Sequence, residues 1–252
     1  MAGAPLDAAR DAFGRGNFQQ AAELAHAAGS AEGEALAARA ELAYGDFVAG
    51  NDVRHAEFEL AARSARAAIA LDPRNPEGHV YLALALGFLG RMEGSVAAHF
   101  AGYAEEARKH IDAALALAPT DPWANALLGG WNLEIVHDGG ALGETIYGAS
   151  SEKGVAAYNY ALALDPGNAA IAYQYALQLV AMGGAWERAE ARQVLESALQ
   201  TQPSDAFQHF ARQRAERMKL ALDAHDDDAL QGIMHDQLGL AAEPVHTAKS
   251  SR

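Results

Sequence analysis

Residues 68–75 read AIALDPRN, residues 114–121 ALALAPTD, residues 161–168 ALALDPGN and residues 198–205 ALQTQPSD. The four stretches align on Pro73, Pro119, Pro166 and Pro203. Five residues before each proline stands an alanine: Ala68, Ala114, Ala161 and Ala198. The residue after that alanine is Ile69, Leu115, Leu162 or Leu199. Each block predicts an apolar helix that ends, a proline that blocks its continuation, and a capping residue for the next helix. The caps are Asn75, Asp121, Asn168 and Asp205. The small alanine lets the ending helix press closely on its neighbour.

Upstream of each proline the spacing continues, with Ala61-x3-Ala65, Ala107-x3-Ile111, Gly154-x3-Tyr158 and Ala191-x3-Leu195. Downstream come His79-x2-Leu82-Ala83-x2-Leu86, Asn125-x2-Leu128-Gly129-x2-Asn132 and Ala172-x2-Tyr175-Ala176-x2-Leu179. These resemble the tetratricopeptide pattern W-x2-L-G-x2-Y, then A-x3-F, then P, with degenerate aromatic slots and retained small ones. Gly16-Asn-Phe18-Gln-Gln-Ala21 gives a weaker copy of the turn between two helices of a unit. Residues 34–49 and 54–71 read as the next pair. The expected fold is all-α: an α-α superhelix, a tetratricopeptide-like solenoid of about five helical hairpins. A capping helix over about 205–223 and a short helix from about Asp227 to Leu238 follow. Residues 1–238 read as a single domain and 239–252 as a flexible tail.

Composition agrees. About a quarter of the 252 residues are alanine, the best helix former, and β-branched residues are scarce. The prolines are 46, 47 and 37 residues apart, against about 34 for a plain unit. Two units therefore carry extra residues, at Gly90–Ala101 (GRMEGSVAAHFA) and His137–Ser150 (HDGGALGETIYGAS). Insertions in a solenoid fall on one face, often the binding face.

The run from Tyr81 to Val136 resembles the regulator of microtubule dynamics family, over roughly residues 55–200. Met92-Glu93-Gly94 matches the family's Gly-rich insertion, Gly129-Gly130-Trp131 its G-x-W segment, and Gly143–Ser151 its small-residue linker. The resemblance implies degenerate tetratricopeptide units and this repeat layout. It brings no catalytic residues. Some members are microtubule- or organelle-associated, and some have an N-terminal membrane anchor of which this sequence shows no trace.

Formal net charge is −14, so the surface is expected to repel nucleic acid and anionic lipid heads. Arg212, Arg214, Arg217 and Lys219, beside Glu216, read as a solvated face. There is no cysteine, which excludes disulfides and thiolate chemistry. The start, Met1-Ala-Gly-Ala-Pro-Leu-Asp, is not a secretory signal, and the apolar run Val80–Leu89 is too short to span a membrane. A cytoplasmic protein is expected.

The first helix of each pair is expected to line the concave groove. That puts Val80, Leu84, Trp123, Ala126, Gly130, Leu133, Tyr173 and Leu177 there, with Trp123 and Tyr173 as anchors for an apolar peptide. The same surface has a second reading: filled by an insertion or by the C-terminal helix. In the insertions, Met92, Glu93, His137 and Tyr147 are the candidate contacts. Trp131, between glycine and a helix contact, reads as core. His137-Asp138 reads as a helix end, with Gly139 as the stop, and His225-Asp-Asp-Asp228 as the start of the last helix. No nucleotide, hydrolase or zinc-protease signature is present. The expected function is a non-catalytic scaffold or adaptor binding a protein or peptide with an apolar or basic segment, without cofactor or metal. The alternatives are a small-molecule or metal-binding protein or enzyme using the His137/Tyr147 region, and a self-assembling module, with a homo-oligomer as one form.

Overall fold

The computed structural model describes residues 3–94, 98, 99 and 101–238. The tail 239–252 and part of the first insertion, 95–97 and 100, lie outside the described residues. Twelve helices run among the described residues. They are α1 (Gly3–Gly14), α2 (Phe18–His26), α3 (Ala31–Phe47), α4 (Asn51–Leu71), α5 (Pro76–Glu93) and α6 (Tyr103–Leu117). Then come α7 (Pro122–Tyr147), α8 (Ser151–Leu164), α9 (Ala169–Met182), α10 (Ala185–Ala198), α11 (Ala206–Ala224) and α12 (Asp227–Leu238). The first ten pair into five hairpins, and α11 and α12 follow.

All four expected caps form. Asn75 accepts from the Gly78 N–H at 2.8 Å, and Asp121 from Ala124 at 2.7 Å. Asn168 accepts from Ala170 and Ile171, both at 3.1 Å, and Asp205 from Gln208 at 2.8 Å. Each cap satisfies donors that the first turn of a helix otherwise leaves orphaned. The alanines before each proline, Ala68, Ala114, Ala161 and Ala198, are buried where one helix of a pair meets the next.

Aromatic pairs fill the wider gaps. Phe58 of α4 stacks on Phe88 of α5 with centroids 4.5 Å apart, and Tyr158 of α8 stacks on Tyr175 of α9 at 4.6 Å. Tyr158 also lies flat against Gly129 of α7. A Cβ at that glycine would stand 2.5 Å from the ring. The α7–α8 contact is therefore possible only because residue 129 has no side chain.

The second insertion is helical rather than looped. The chain turns at Gly140, one residue beyond the expected stop, with φ of 51° and ψ of −147°. It then resumes a helical course to Tyr147. Glycine tolerates that left-handed φ, and the following Ala-Leu-Gly-Glu-Thr-Ile-Tyr segment is a competent helix former.

Candidate functional site

The expected groove residues are not on an open surface. Leu133 and Leu177 are wholly buried, and Val80, Ala126, Gly130 and Tyr173 are also buried. Leu84 and Trp123 are partly covered. Gly130 and Leu133 are covered by their own hairpin partner, Tyr158 and Gly154 of α8, whereas Leu84, Trp123 and Tyr173 lie beneath α11. Phe207 of α11 packs against Phe13, Phe47 and Trp123 at 5.8, 5.4 and 5.9 Å between centroids. Phe210 packs against Phe18 and Phe47 at 6.0 and 5.7 Å. A void of only about 60 Å³ remains between Trp123, Tyr173, Leu84 and the helix. At Trp123, Tyr173 and Leu84, α11 is the element that packs over this surface.

The basic run on α11 is only partly a solvated face: Arg217 is exposed, but Arg212 and Arg214 are engaged by the protein. Arg214 bonds both carboxylate oxygens of Asp46 at 2.8 Å and reaches the Asp46 carbonyl, with side chains only 13% and 12% exposed. Its guanidinium lies 4.2 Å from the centroid of the Phe47 ring. Arg212 donates to the Leu199 and Thr201 carbonyls, both at 2.7 Å, closing the end of α10. α11 thus ties the first hairpins to the last through ring contacts and a shielded ion pair.

The larger opening lies at the insertions, where a cavity of about 580 Å³ sits between α5, the start of α6 and the outer part of α7. Its walls are mainly apolar. Leu142 and Ile146, one turn apart beyond the Gly140 bend, are 70% and 56% exposed and line it. Trp131 forms part of the floor. Its Nε1 donates to the Ala104 carbonyl at 2.8 Å, and Tyr147 meets it edge-on at 6.1 Å. The core reading of Trp131 is what the structure shows, with one side bordering the cavity. The Tyr147 hydroxyl lies 2.5 Å from His99 Nδ1. Burial, with the Glu105 carboxylate nearby, pushes the Tyr147 phenol above its usual pKa.

The four insertion candidates are not brought together. Only Tyr147 lines this cavity. Met92 points to a separate hollow, and Glu93 accepts from the Tyr103 hydroxyl at 3.0 Å. His137 is held by its neighbour, Nδ1 to Asp138 Oδ1 at 2.7 Å, which raises its pKa above the ordinary imidazole value against the opposing effect of burial. Asp226 caps α12 through the Ala229 N–H at 3.0 Å, and His225 ends α11 in the left-handed region at φ of 52°. Among the described residues no group of three or more histidines and carboxylates could hold a metal ion. No described helix is long and apolar enough to cross a membrane.

A polar network that the sequence did not announce joins successive first helices at the cavity. Arg91 of α5 forks onto Glu134 of α7, with Nε to Oε1 at 2.7 Å, and also reaches Gln174 of α9 at 3.4 Å. Gln178 of α9 donates to the same Glu134 oxygen at 2.6 Å. The partners lie 43, 83 and 44 residues apart, so no local pattern marks them. Leu142 and Ile146 did carry a signal: two apolar residues at helical spacing inside an insertion.

The described fold is similar to a solved thermophilic tetratricopeptide protein, TTC0263 of Thermus thermophilus. The TM-score is 0.59 at 19% identity, over 86% of this chain and 99% of that one. At that identity the likeness speaks for the fold. No curated protein matches the sequence. The family profile described as "Regulator of microtubule dynamics protein 1-3" matches residues 15–222. That is a wider span than the sequence motifs marked: it begins just after α1, takes in α2 and the four hairpins that follow, and ends within α11. The chain belongs to the regulator of microtubule dynamics family.

Proposed function

We infer that this protein is a non-catalytic scaffold that takes an apolar segment of a partner protein into the cavity between the two insertions. A tetratricopeptide-like fold and this family suggest protein interaction, and both are generally non-enzymatic. The observation that carries the choice of surface is the pair Leu142 and Ile146. They stand largely exposed at i, i+4 over a mainly apolar cavity of about 580 Å³, while the concave groove is filled by α11. An amphipathic helix presenting two or three apolar residues suits such a slot. The absence of cysteine suits a reducing compartment, so the partner is sought in the cytoplasm.

The test is partner capture from the native host with Leu142→Asp/Ile146→Asp. Both side chains are exposed, so the variant is expected to melt within about 2 °C of the parent. Two charges in an apolar contact are expected to reduce partner recovery at least tenfold, roughly 1.5–3 kcal/mol per lost anchor. Recovery equal to the parent's contradicts the cavity as the contact surface.

A small-molecule ligand in the same cavity is the second reading. Its volume lies in the range of about 300–1,000 Å³ usual for ligand sites, and the Tyr147–His99 pair and Arg91 supply polar groups on an apolar wall.

A further inference from the structure

A second hollow, of about 460 Å³, opens on the other side of the last turns of α5. Arg54 of α4, Arg91 of α5, and Arg214 and Arg217 of α11 all line it, with His235 of α12. This is four of the chain's 19 lysines and arginines at one point of a protein whose net charge is −14. A chance surface of such a chain is acidic, so the convergence needs a reason.

The four guanidiniums differ in how they are engaged. Arg91 and Arg214 are mostly shielded and fixed, by Glu134 and by Asp46. Phe88 and Phe47 lie under their planes, at 5.5 and 4.2 Å. Arg54 donates its Nε–H to the Gly45 carbonyl at 3.2 Å, which orients its fork. Its two terminal nitrogens, and all the donors of Arg217, have no hydrogen-bond partner among the described residues. Four guanidiniums face three carboxylates, Asp46, Asp236 and, behind Arg91, Glu134. One positive charge is left over without counting His235. The start of α4 reaches the same hollow at Asn51, and its N-cap residue Gly50 offers no side-chain cap. The Asp52 carboxylate in that first turn offsets the positive end of the helix, so the arginines carry the charge of the hollow.

We propose that this hollow is a binding site for a small-molecule oxyanion, a phosphate or a carboxylate. Two shielded arginines form the back wall, and the free forks of Arg54 and Arg217 close on the ligand. A guanidinium fork matches the two oxygens of either group. The acidic remainder of the surface does not prevent this. Its charges are screened beyond about 8 Å at physiological salt, whereas the hollow's own are in contact. The site is separate from the insertion cavity, although Arg91 borders both. Its failure would leave the scaffold reading untouched.

The experiment is titration calorimetry of the full chain with pyrophosphate in one arm and citrate in another, at ionic strength matched with sodium chloride. Saturable one-to-one binding is expected in at least one arm, and the stronger arm assigns phosphate or carboxylate. In Arg54→Gln/Arg217→Gln that binding is expected to weaken by at least about tenfold, since hydrogen bonds to charged groups are among the stronger ones. Arg10→Gln, changing an exposed cation on α1, is expected to bind like the parent. If the double variant fails to fold, Arg217→Gln alone carries the test with an expected weakening of about threefold. No saturable heat with either probe, or undiminished binding in the variant that folds, overturns the proposal.

Discussion

Gly129→Val is expected to destabilise the protein by about 3 kcal/mol, lowering the melting temperature by roughly 6–12 °C. The added Cβ would meet the Tyr158 ring at 2.5, 2.8 and 3.0 Å. Tyr158 has nowhere to retreat, because its other face stacks on Tyr175. Valine in place of glycine otherwise favours a helix by a few tenths of a kcal/mol, which is too little to offset the clash. Gly139→Ala is the control. Nothing lies within 4 Å of its added Cβ, so alanine there is expected to be neutral or slightly stabilising. Thermal unfolding followed by circular dichroism decides. A Gly129→Val protein melting within about 2 °C of the parent would mean that α7 and α8 are not in contact at this glycine.

Arg214→Ala is expected to cost about 3–5 kcal/mol, because it leaves the shielded Asp46 carboxylate without its counter-charge. The contact with the Phe47 ring goes as well. Replacing both partners, as Arg214→Met with Asp46→Leu, is expected to recover most of the loss. The removal of one charge is worse than the removal of two. Denaturant unfolding of the parent, Arg214→Met, Asp46→Leu and the double variant measures the coupling. Additive losses, with no recovery in the double variant, would contradict a shielded pair between α3 and α11.

These positions show what a sequence carries and what it does not. The capping residues after each proline were readable because a cap and the helix it serves lie three residues apart. The five hairpins were readable because alanine, leucine and proline repeat at fixed offsets. Arg214 and Asp46 are separated by 168 residues, and nothing local distinguishes that arginine from Arg212 or Arg217 on the same helix. It therefore read as part of a solvated run. The groove residues were chosen by counting from the helix starts, which gives a face but not its cover. Trp123 and Tyr173 were assigned to the concave side on spacing alone, and it is tertiary packing that brings Phe207 to them. At the second insertion, Gly139 read as the stop of a helix. Of Gly139 and Gly140 only the latter takes a left-handed φ, and the helix resumes beyond it. The cavity borne by Leu142 and Ile146 depends on that resumption.

The central claim is that α11 closes the concave face of the solenoid, which sends partner binding to the insertion side. Native-state hydrogen exchange of the isolated protein tests it most directly. Amides of α11, residues 206–224, are expected to exchange as slowly as those of α9, residues 169–182, because both helices share one core. Exchange of α11 at the rate of a frayed terminus, with α9 still protected, would show an open groove and contradict the account.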